Sequence, residues 1–247
     1  MYVMAEGELP ICLCAHMDTV FTVTPTTFYY DQDKATLWSP QGLGADDRAG
    51  IYIIITLLEK GYRPSIILTD LEEKGGLGAK ALTQQYPYCP FSDCRAIIQL
   101  DRHGSNDSVY YDCDNKNFEE MINLYGFKTN WGTFTDISFL APSWKIAAVN
   151  LSVGYYNEHQ VIETLNMREL KSTVKKVEQM LESCKDWLSY AYIPLIYPKQ
   201  TFFNFDDYCA ICNQKIPEGK GHYCFAADHP SNDLKLCDTC YNMYCIG

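Results

Sequence analysis

Gly42-Leu43-Gly44-Ala45-Asp46-Asp47-Arg48-Ala49-Gly50 runs from a glycine-rich loop directly into an apolar helix, Ile51 to Leu58. Glycines on both sides let the backbone bend and approach a neighbour closely. Two adjacent carboxylates at a helix start have an ordinary explanation. Asp is favoured at N-caps and in first turns, where it meets unpaired N–H groups and the positive end of the helix dipole. This pair stands out because histidines and acids at the ends of other predicted strands accompany it along the chain.

The 247 residues are enough for one large domain and a small one. An apolar content of 47% with 21% charged residues describes a globular chain with a sizeable core. The net charge of −11 argues against general nucleic-acid binding, which needs a basic face. The first residues, Met1 to Glu6, lack the basic start and long apolar run of a secretory signal. No apolar run approaches the roughly 18 residues of a membrane span. Of 12 cysteines, six lie in the last 39 residues as C-x-x-C pairs and companions, and the other six are scattered without framework spacing. That usage points to metal rather than disulfides and to a reducing, cytoplasmic setting.

Working outward from the opening stretch, Pro10 to Ala15 reads as a buried strand ending at His16-Met17-Asp18. Phe28 to Trp38 reads as a hairpin. The helix from Arg48 to Lys60 is closed by Gly61. Ser65 to Thr69 is a short strand followed by Asp70-Leu71-Glu72-Glu73, and Gly75 to Gln85 is a helix. Arg95 to Leu100 is a strand ending at Asp101, and Ser108 to Asp112 is another. Phe118 to Tyr125 is an amphipathic helix, Ser138 to Ala141 a short helical segment, and Lys145 to Val153 a further buried strand. Met167 to Tyr190 has apolar residues three or four apart and predicts one long helix. Short apolar strands alternating with helices predict an α/β three-layer sandwich with a mixed, mainly parallel sheet. Ligands of such sheets bind at the carboxyl ends of strands. His16, Glu72, Glu73, Asp101 and His159 all fall at or just after such an end.

Each of these residues alone has a bland reading as a loop histidine, a solvated acid or a turn cap. Together they form a donor set for a hydrolytic metal site. Mixed histidine and carboxylate ligands suit catalytic zinc with a position left for water. A two-metal site needs a bridging carboxylate and lateral ligands for each ion. A further carboxylate must stand beside the water as general base, and adjacent glutamates can divide ligation from proton transfer.

The ordered set Ala15-His16-Met17-Asp18, Gly44-Ala45-Asp46-Asp47-Arg48-Ala49-Gly50, Glu72-Glu73-Lys74-Gly75-Gly76-Leu77-Gly78-Ala79, Asp101 and His159 resembles the co-catalytic di-zinc exopeptidases. These include the bacterial aminopeptidases, tripeptidase T and their deacylase relatives. The resemblance spans about residues 9 to 190. It implies that His16 and Asp101 bind one zinc, that Glu73 and His159 bind the other, and that Asp46 bridges them. It further implies Glu72 as general base, Asp18 as the residue that orients His16, and a cis peptide between Asp46 and Asp47. Two departures stand out. His16 comes almost at once, where family members have several tens of preceding residues. Only 57 residues separate Asp101 from His159, which leaves no room for the lid or dimerisation domain of the deacylases. The compact form resembles the aminopeptidases. Asp136, Arg102, His103 and Tyr155 are weaker candidates for substrate contact, with capping of the following helix the alternative for Asp136.

Cys209-Ala-Ile-Cys212 and Cys237-Asp-Thr-Cys240 are separated by 24 residues. Paired C-x-x-C knuckles predict one closed, structural zinc, in a unit that resembles a zinc ribbon or treble clef. The expected organisation is a catalytic domain over 1–191, a proline-containing connector over 192–206 and a four-cysteine zinc unit over 207–247. The expected function is aminopeptidase action on short peptides, in a soluble cytoplasmic protein without membrane or nucleic-acid partners. A homo-oligomer and a protein partner at the zinc unit stay open. The alternatives are an amidohydrolase acting on N-acylated amino acids and an inactive scaffold.

Overall fold

Ile11, Leu13 and Ala15 alternate with Cys12 and Cys14, and the two sets point to opposite faces of one strand, β2 (Leu9–His16). All five are fully buried, so this strand is covered on both sides. The structure, a computed structural model, describes residues 1–195, 209, 214–217, 220, 222–225 and 233–244. The chain divides into two compact units, Met1–Leu195 and Ile196–Gly247.

The large unit is built on a seven-stranded sheet. Its strands are β1 (Tyr2–Ala5), β2, β5 (Pro64–Thr69), β6 (Ala96–Arg102), β7 (Asp107–Val109), β8 (Lys128–Asn130) and β9 (Ala148–Ser152), in the order β1-β5-β2-β6-β9-β7-β8. The central pairs β2–β5, β2–β6 and β6–β9 are parallel, and β1 and β7 join antiparallel to β5 and β9. One face is covered by α1 (Ala45–Glu59), α3 (Lys116–Asn123) and α5 (Met167–Ser183). The other is covered by α2 (Leu77–Gln85) and α4 (Ile137–Trp144). This is the expected three-layer α/β sandwich. The hairpin β3 (Tyr29–Asp31) and β4 (Thr36–Trp38) forms where expected, but within a second, four-stranded sheet with β10 (Tyr155–Tyr156) and β11 (Thr164–Asn166).

Several elements differ from expectation. The long final helix ends at Ser183 and closes with a 3-10 turn, Cys184–Asp186. Trp187 then takes an extended conformation and buries its ring. The chain beyond it is tied to neighbouring loops, with Ala147 N–H donating to Tyr190 O at 2.9 Å and Leu195 N–H to Asp112 O at 2.8 Å. Tyr192 to Leu195, expected to open the connector, are therefore held in the large unit. The helix expected from Gly75 starts at Leu77, because Gly75 and Gly76 adopt left-handed φ of 83° and 67° after a 3-10 turn, Glu72–Lys74. Strands β1 and β8 carry no strong alternation, and the sequence pattern does not announce them.

In the second unit β12 (His222–Phe225) pairs antiparallel with β13 (Asp233–Leu236), and α6 (Asp238–Tyr244) follows. Cys209 is buried with Ile216 and Leu236, and Cys237 packs beside them. Cys212 and the side chain of Cys240 lie outside the described residues. No helix among the described residues is long and apolar enough to cross a membrane.

The site depends on a close crossing of α1 over β6. A Cβ at Gly50 would stand 2.1 Å from Leu100 O and 2.6 Å from an Asp47 carboxylate oxygen. The first is a backbone atom, and the second ends a fully buried side chain held by the N–H groups of His16 and Gly50. Gly50→Ala is expected to lower stability by about 1–3 kcal/mol, the usual cost of overpacking. A fall in the urea unfolding midpoint at unchanged slope would show it, and an unshifted midpoint would contradict the close crossing.

Candidate active site

Parallel strands align their carboxyl ends, and those ends gather the expected residues. His16 is the last residue of β2, Asp101 lies one short of the end of β6, and Glu72 and Glu73 follow β5. Asp46 comes from the first turn of α1, where its own backbone is not helical. His159 comes from the turn between β10 and β11, at a left-handed φ of 64°. The Asp46–Asp47 peptide is cis.

The side chains converge as two sets of three donors. His16 Nε2 lies 2.9 Å from Asp46 Oδ1 and 3.4 Å from Asp101 Oδ1. His159 Nε2 lies 3.2 Å from Asp46 Oδ2 and 3.0 Å from Glu73 Oε2. Asp46 thus offers one oxygen to each set. Donors about 2.0 Å from a tetrahedral ion stand about 3.3 Å apart, so this spacing suits a divalent metal. Two further observations fit a cation. Glu73 Oε1 is buried with no hydrogen-bond partner. Five carboxylates, those of Asp46, Asp47, Glu72, Glu73 and Asp101, also meet only two imidazoles in this largely buried space.

The electrostatics register that excess. Burial, then the Asp101 carboxylate, pushes Glu72 up to about 9. Burial and Asp46 push Glu73 up to about 7. Burial raises Asp101 and Asp47 as well. Asp46 moves the other way, because hydrogen bonds to His159 and His16 overcome its burial. A bound cation reverses the penalty on the raised carboxylates.

Surrounding groups fix the donors. Asp101 Oδ2 accepts from Thr135 Oγ1 at 2.8 Å and from Gln99 Nε2 at 3.1 Å, and Asp101 Oδ1 accepts from the Tyr155 hydroxyl at 3.2 Å. Tyr155 is buried, so it acts on Asp101 rather than facing a substrate. His16 Nδ1 is nearer the backbone carbonyl of Asp18, at 3.0 Å, than its carboxylate, at 3.4 Å. The Asp18 carboxylate instead accepts the N–H groups of Glu72 and Glu73 at 3.0 and 3.1 Å. It orients the glutamate pair as well as His16. Asp47 lies near His16 and Asp101, yet its oxygens accept from His16 N–H at 3.2 Å and Gly50 N–H at 3.0 Å. It ties β2 to α1.

Asp136 sits at the start of α4 but makes no capping bond. It is fully buried, accepts from the Thr69 hydroxyl and leaves Oδ1 without a partner. The expected cap is therefore absent, and a fully buried carboxylate does not meet a substrate in this structure. Arg102 is directed to Trp131 O at 3.3 Å and Asp107 at 3.7 Å. His103 pairs with Glu158 at 2.7 Å beside His159.

One residue escapes the sequence reading. Glu163 is fully buried and accepts the backbone N–H groups of Gly44, Ala45 (3.1 Å) and Asp46 (3.1 Å). It clasps the loop that presents Asp46. Between exposed Ile162 and partly buried Thr164 it looks like a solvated loop acid. Only its place four residues after His159 hints otherwise.

A mixed, mostly parallel sheet with this donor set at its strand ends belongs to the metal-dependent hydrolases. Residues 3–128 match the model of peptidase family M28, and the chain belongs to that family. The match includes every donor except His159. The fold is similar to aminopeptidase PepT from Bacillus cereus, with a TM-score of 0.58 at 16% identity over 74% of this chain and 84% of that one. It is also similar to a tripeptidase from Staphylococcus aureus, with a TM-score of 0.59 at 14% identity over 75% of this chain and 84% of that one. At such identities the likeness speaks for the fold. No curated protein matches the sequence. The chain is a peptide-bond hydrolase that uses a divalent metal.

Two tests follow from this geometry. Glu163→Gln places an amide group where three N–H donors need an acceptor. Divalent-metal affinity should fall about 10- to 100-fold with the circular-dichroism spectrum retained, and wild-type affinity would refute the clasp. The second concerns protons. Asp46, then Glu73, hold His159 up at about 9 against its burial. Below that pH the ring of the ion-free site carries a proton that must leave before Nε2 can ligate. Metal affinity should therefore rise from pH 6 to pH 8, by up to about tenfold per pH unit for this group. Chelator competition measures it, and a flat profile would count against His159 as a ligand.

Proposed function

We propose that the chain is a two-metal aminopeptidase acting on short peptides. The observation that carries this reading is the pair of donor sets joined through the two oxygens of Asp46. His16 and Asp101 would hold one ion, Glu73 and His159 the other, with Asp46 between them and zinc the metal that best suits the donors. Bound there, the ions supply Lewis acidity toward a scissile carbonyl and acidify a water.

The remaining steps belong to the chain. Glu72 is partly buried beside the donors, and its backbone is pinned by Asp18. Its carboxylate takes the proton of the attacking water and returns it to the leaving amine. Its affinity for a proton, high in the ion-free site, falls toward a working value once cations are near. A cavity of about 420 Å³ lined by His103, Tyr156, Glu158 and His159 lies against the second donor set. We place the substrate's first residue there, where Glu158 adds negative charge near its amine. The amidohydrolase alternative shares the same chemistry and differs in what this cavity accepts.

Cys209, Cys212, Cys237 and Cys240 are proposed to hold a separate structural zinc. The intact chain should then carry about three zinc ions.

Wild type and Glu72→Gln should be compared on aminoacyl amides and N-acylated amino acids. We expect turnover of the free-amine substrates and a loss of kcat of at least about 100-fold in the variant, with metal content unchanged. Turnover of N-acylated substrates alone would favour the amidohydrolase. Full activity of Glu72→Gln would remove Glu72 as the base.

A further inference from the structure

A second cavity, of about 460 Å³, lies against the loop that leads to Asp46, with Gly44 and Ala45 in its wall. Neither Glu72 nor any of the metal donors lines it. Its floor is buried and aliphatic. Leu43 comes from the loop, Leu165 from β11 and Leu170 from α5. Phe28 and Tyr52 border it and are 54% and 45% exposed. Apolar walls left to water are costly. A concave, mainly apolar space of this size with one placed polar group is the ordinary form of a small-molecule site.

The polar group here is Arg48, the one charged side chain among the described residues that line the cavity. Its Nη1 donates to Leu43 O at 2.8 Å. The same nitrogen lies 2.8 Å from the point where a Cβ on Gly44 would stand, so the glycine leaves the guanidinium room on the cavity wall. Arg48 forms no ion pair among the described residues. In a chain of net charge −11, a guanidinium without an acid beside it stands out. The bond to Leu43 uses one of its five N–H donors, and the planar fork suits a carboxylate. No acid lines the cavity to receive a cationic ligand, and no second cation lines it to balance a dianion. The lining therefore matches an aliphatic body that carries one negative charge at one end.

We propose that this cavity binds an amphiphilic monocarboxylate of the medium-chain fatty-acid class. The tail lies on Leu43, Leu165 and Leu170, and the carboxylate meets Arg48. The site is separate from the peptidase chemistry and does not rest on it.

Decanoate, below its micelle concentration, is titrated into the full-length, metal-loaded protein by calorimetry. One saturable site per chain is expected. Affinity should fall about fourfold for each methylene removed, read with nonanoate and octanoate. Arg48→Gln should weaken decanoate about tenfold and leave decanol unchanged. Tyr52→Ala should weaken both. Arg48 and Tyr52 are exposed, so both variants are expected to keep the wild-type circular-dichroism spectrum. The absence of saturable binding overturns the inference. So does decanoate binding that neither substitution changes, because the acid then sits elsewhere, the catalytic ions included. Equal weakening of decanoate and decanol by Arg48→Gln overturns it too, since Arg48 then does not read the charge. If sedimentation shows a dimer that Tyr52→Ala separates and decanoate does not, a second copy covers the cavity and the inference falls.

Discussion

The site rests on an imbalance of buried charge. Five carboxylates crowd two imidazoles at the carboxyl ends of β2, β5 and β6, and burial makes every unpaired negative charge costly. Without a cation the acids can relieve one another only by taking up protons. That is why Glu72, Glu73, Asp101 and Asp47 are all raised, while at Asp46 hydrogen bonds to both imidazoles overcome burial and lower it. An arrangement that gains stability by binding positive charge is a cation receptor. General acid–base groups alone would not need so many acids in one place. Under the proposed assignment, the same excess lets one glutamate of the pair bind an ion while the other keeps its proton affinity. Glu73 faces His159 directly, whereas Glu72 feels mainly burial and Asp101.

A receptor built from repelling groups must be held from outside, and the holding comes from distant parts of the chain. Glu163 reaches the loop at Gly44 to Asp46 across 117 to 119 residues. Asp18 reaches Glu72 and Glu73 across more than 50. Asn150 on β9 both donates to and accepts from the backbone of Asp101. The close seat of α1 on β6 at Gly50 sets the height of Asp46 over the sheet. The positions of the donors are thus a property of the whole large unit. Residues 3–128 supply most of the donors, but the clasp and the second imidazole arrive only with the chain beyond them.

This division explains what is legible in the sequence. His16, Glu72, Glu73 and Asp101 stand out because each interrupts or ends a buried apolar run, and a polar residue there is visible in one dimension. The sandwich is legible for the same reason, since Ile11, Leu13 and Ala15 alternate with Cys12 and Cys14. Glu163 is not legible. It belongs to a short stretch of mixed polarity, and its burial is decided by a loop far earlier in the sequence. Sequence proximity assigns the Asp18 carboxylate to His16, its neighbour two residues away, because local partners are the visible ones. In the folded chain the backbone carbonyl lies nearer that ring, and the carboxylate also holds a turn beyond β5. The final helix looks too long in the sequence because Leu188 continues the helical spacing. The burial of Trp187 and the hydrogen bonds of the segment after it outweigh that local preference.

Asp46 and Asp47 carry the same lesson within a single dipeptide. Both are buried, both begin the same helix, and no local propensity separates them. Their partners do. Asp46 points its two oxygens at two ring nitrogens, so its charge is wanted and its proton is lost easily. Asp47 spends its oxygens on the N–H groups of His16 and Gly50, and has Asp101 as a like-charged neighbour. The charge it would carry is opposed rather than needed. What Asp47 contributes is mechanical, since it links the strand that bears the first imidazole to the helix that bears the shared carboxylate. A shared carboxylate can serve two donor sets only if its own backbone does not move. Asp47 within the helix and Glu163 across the loop together meet that condition, and Asp46 is left free to face both imidazoles.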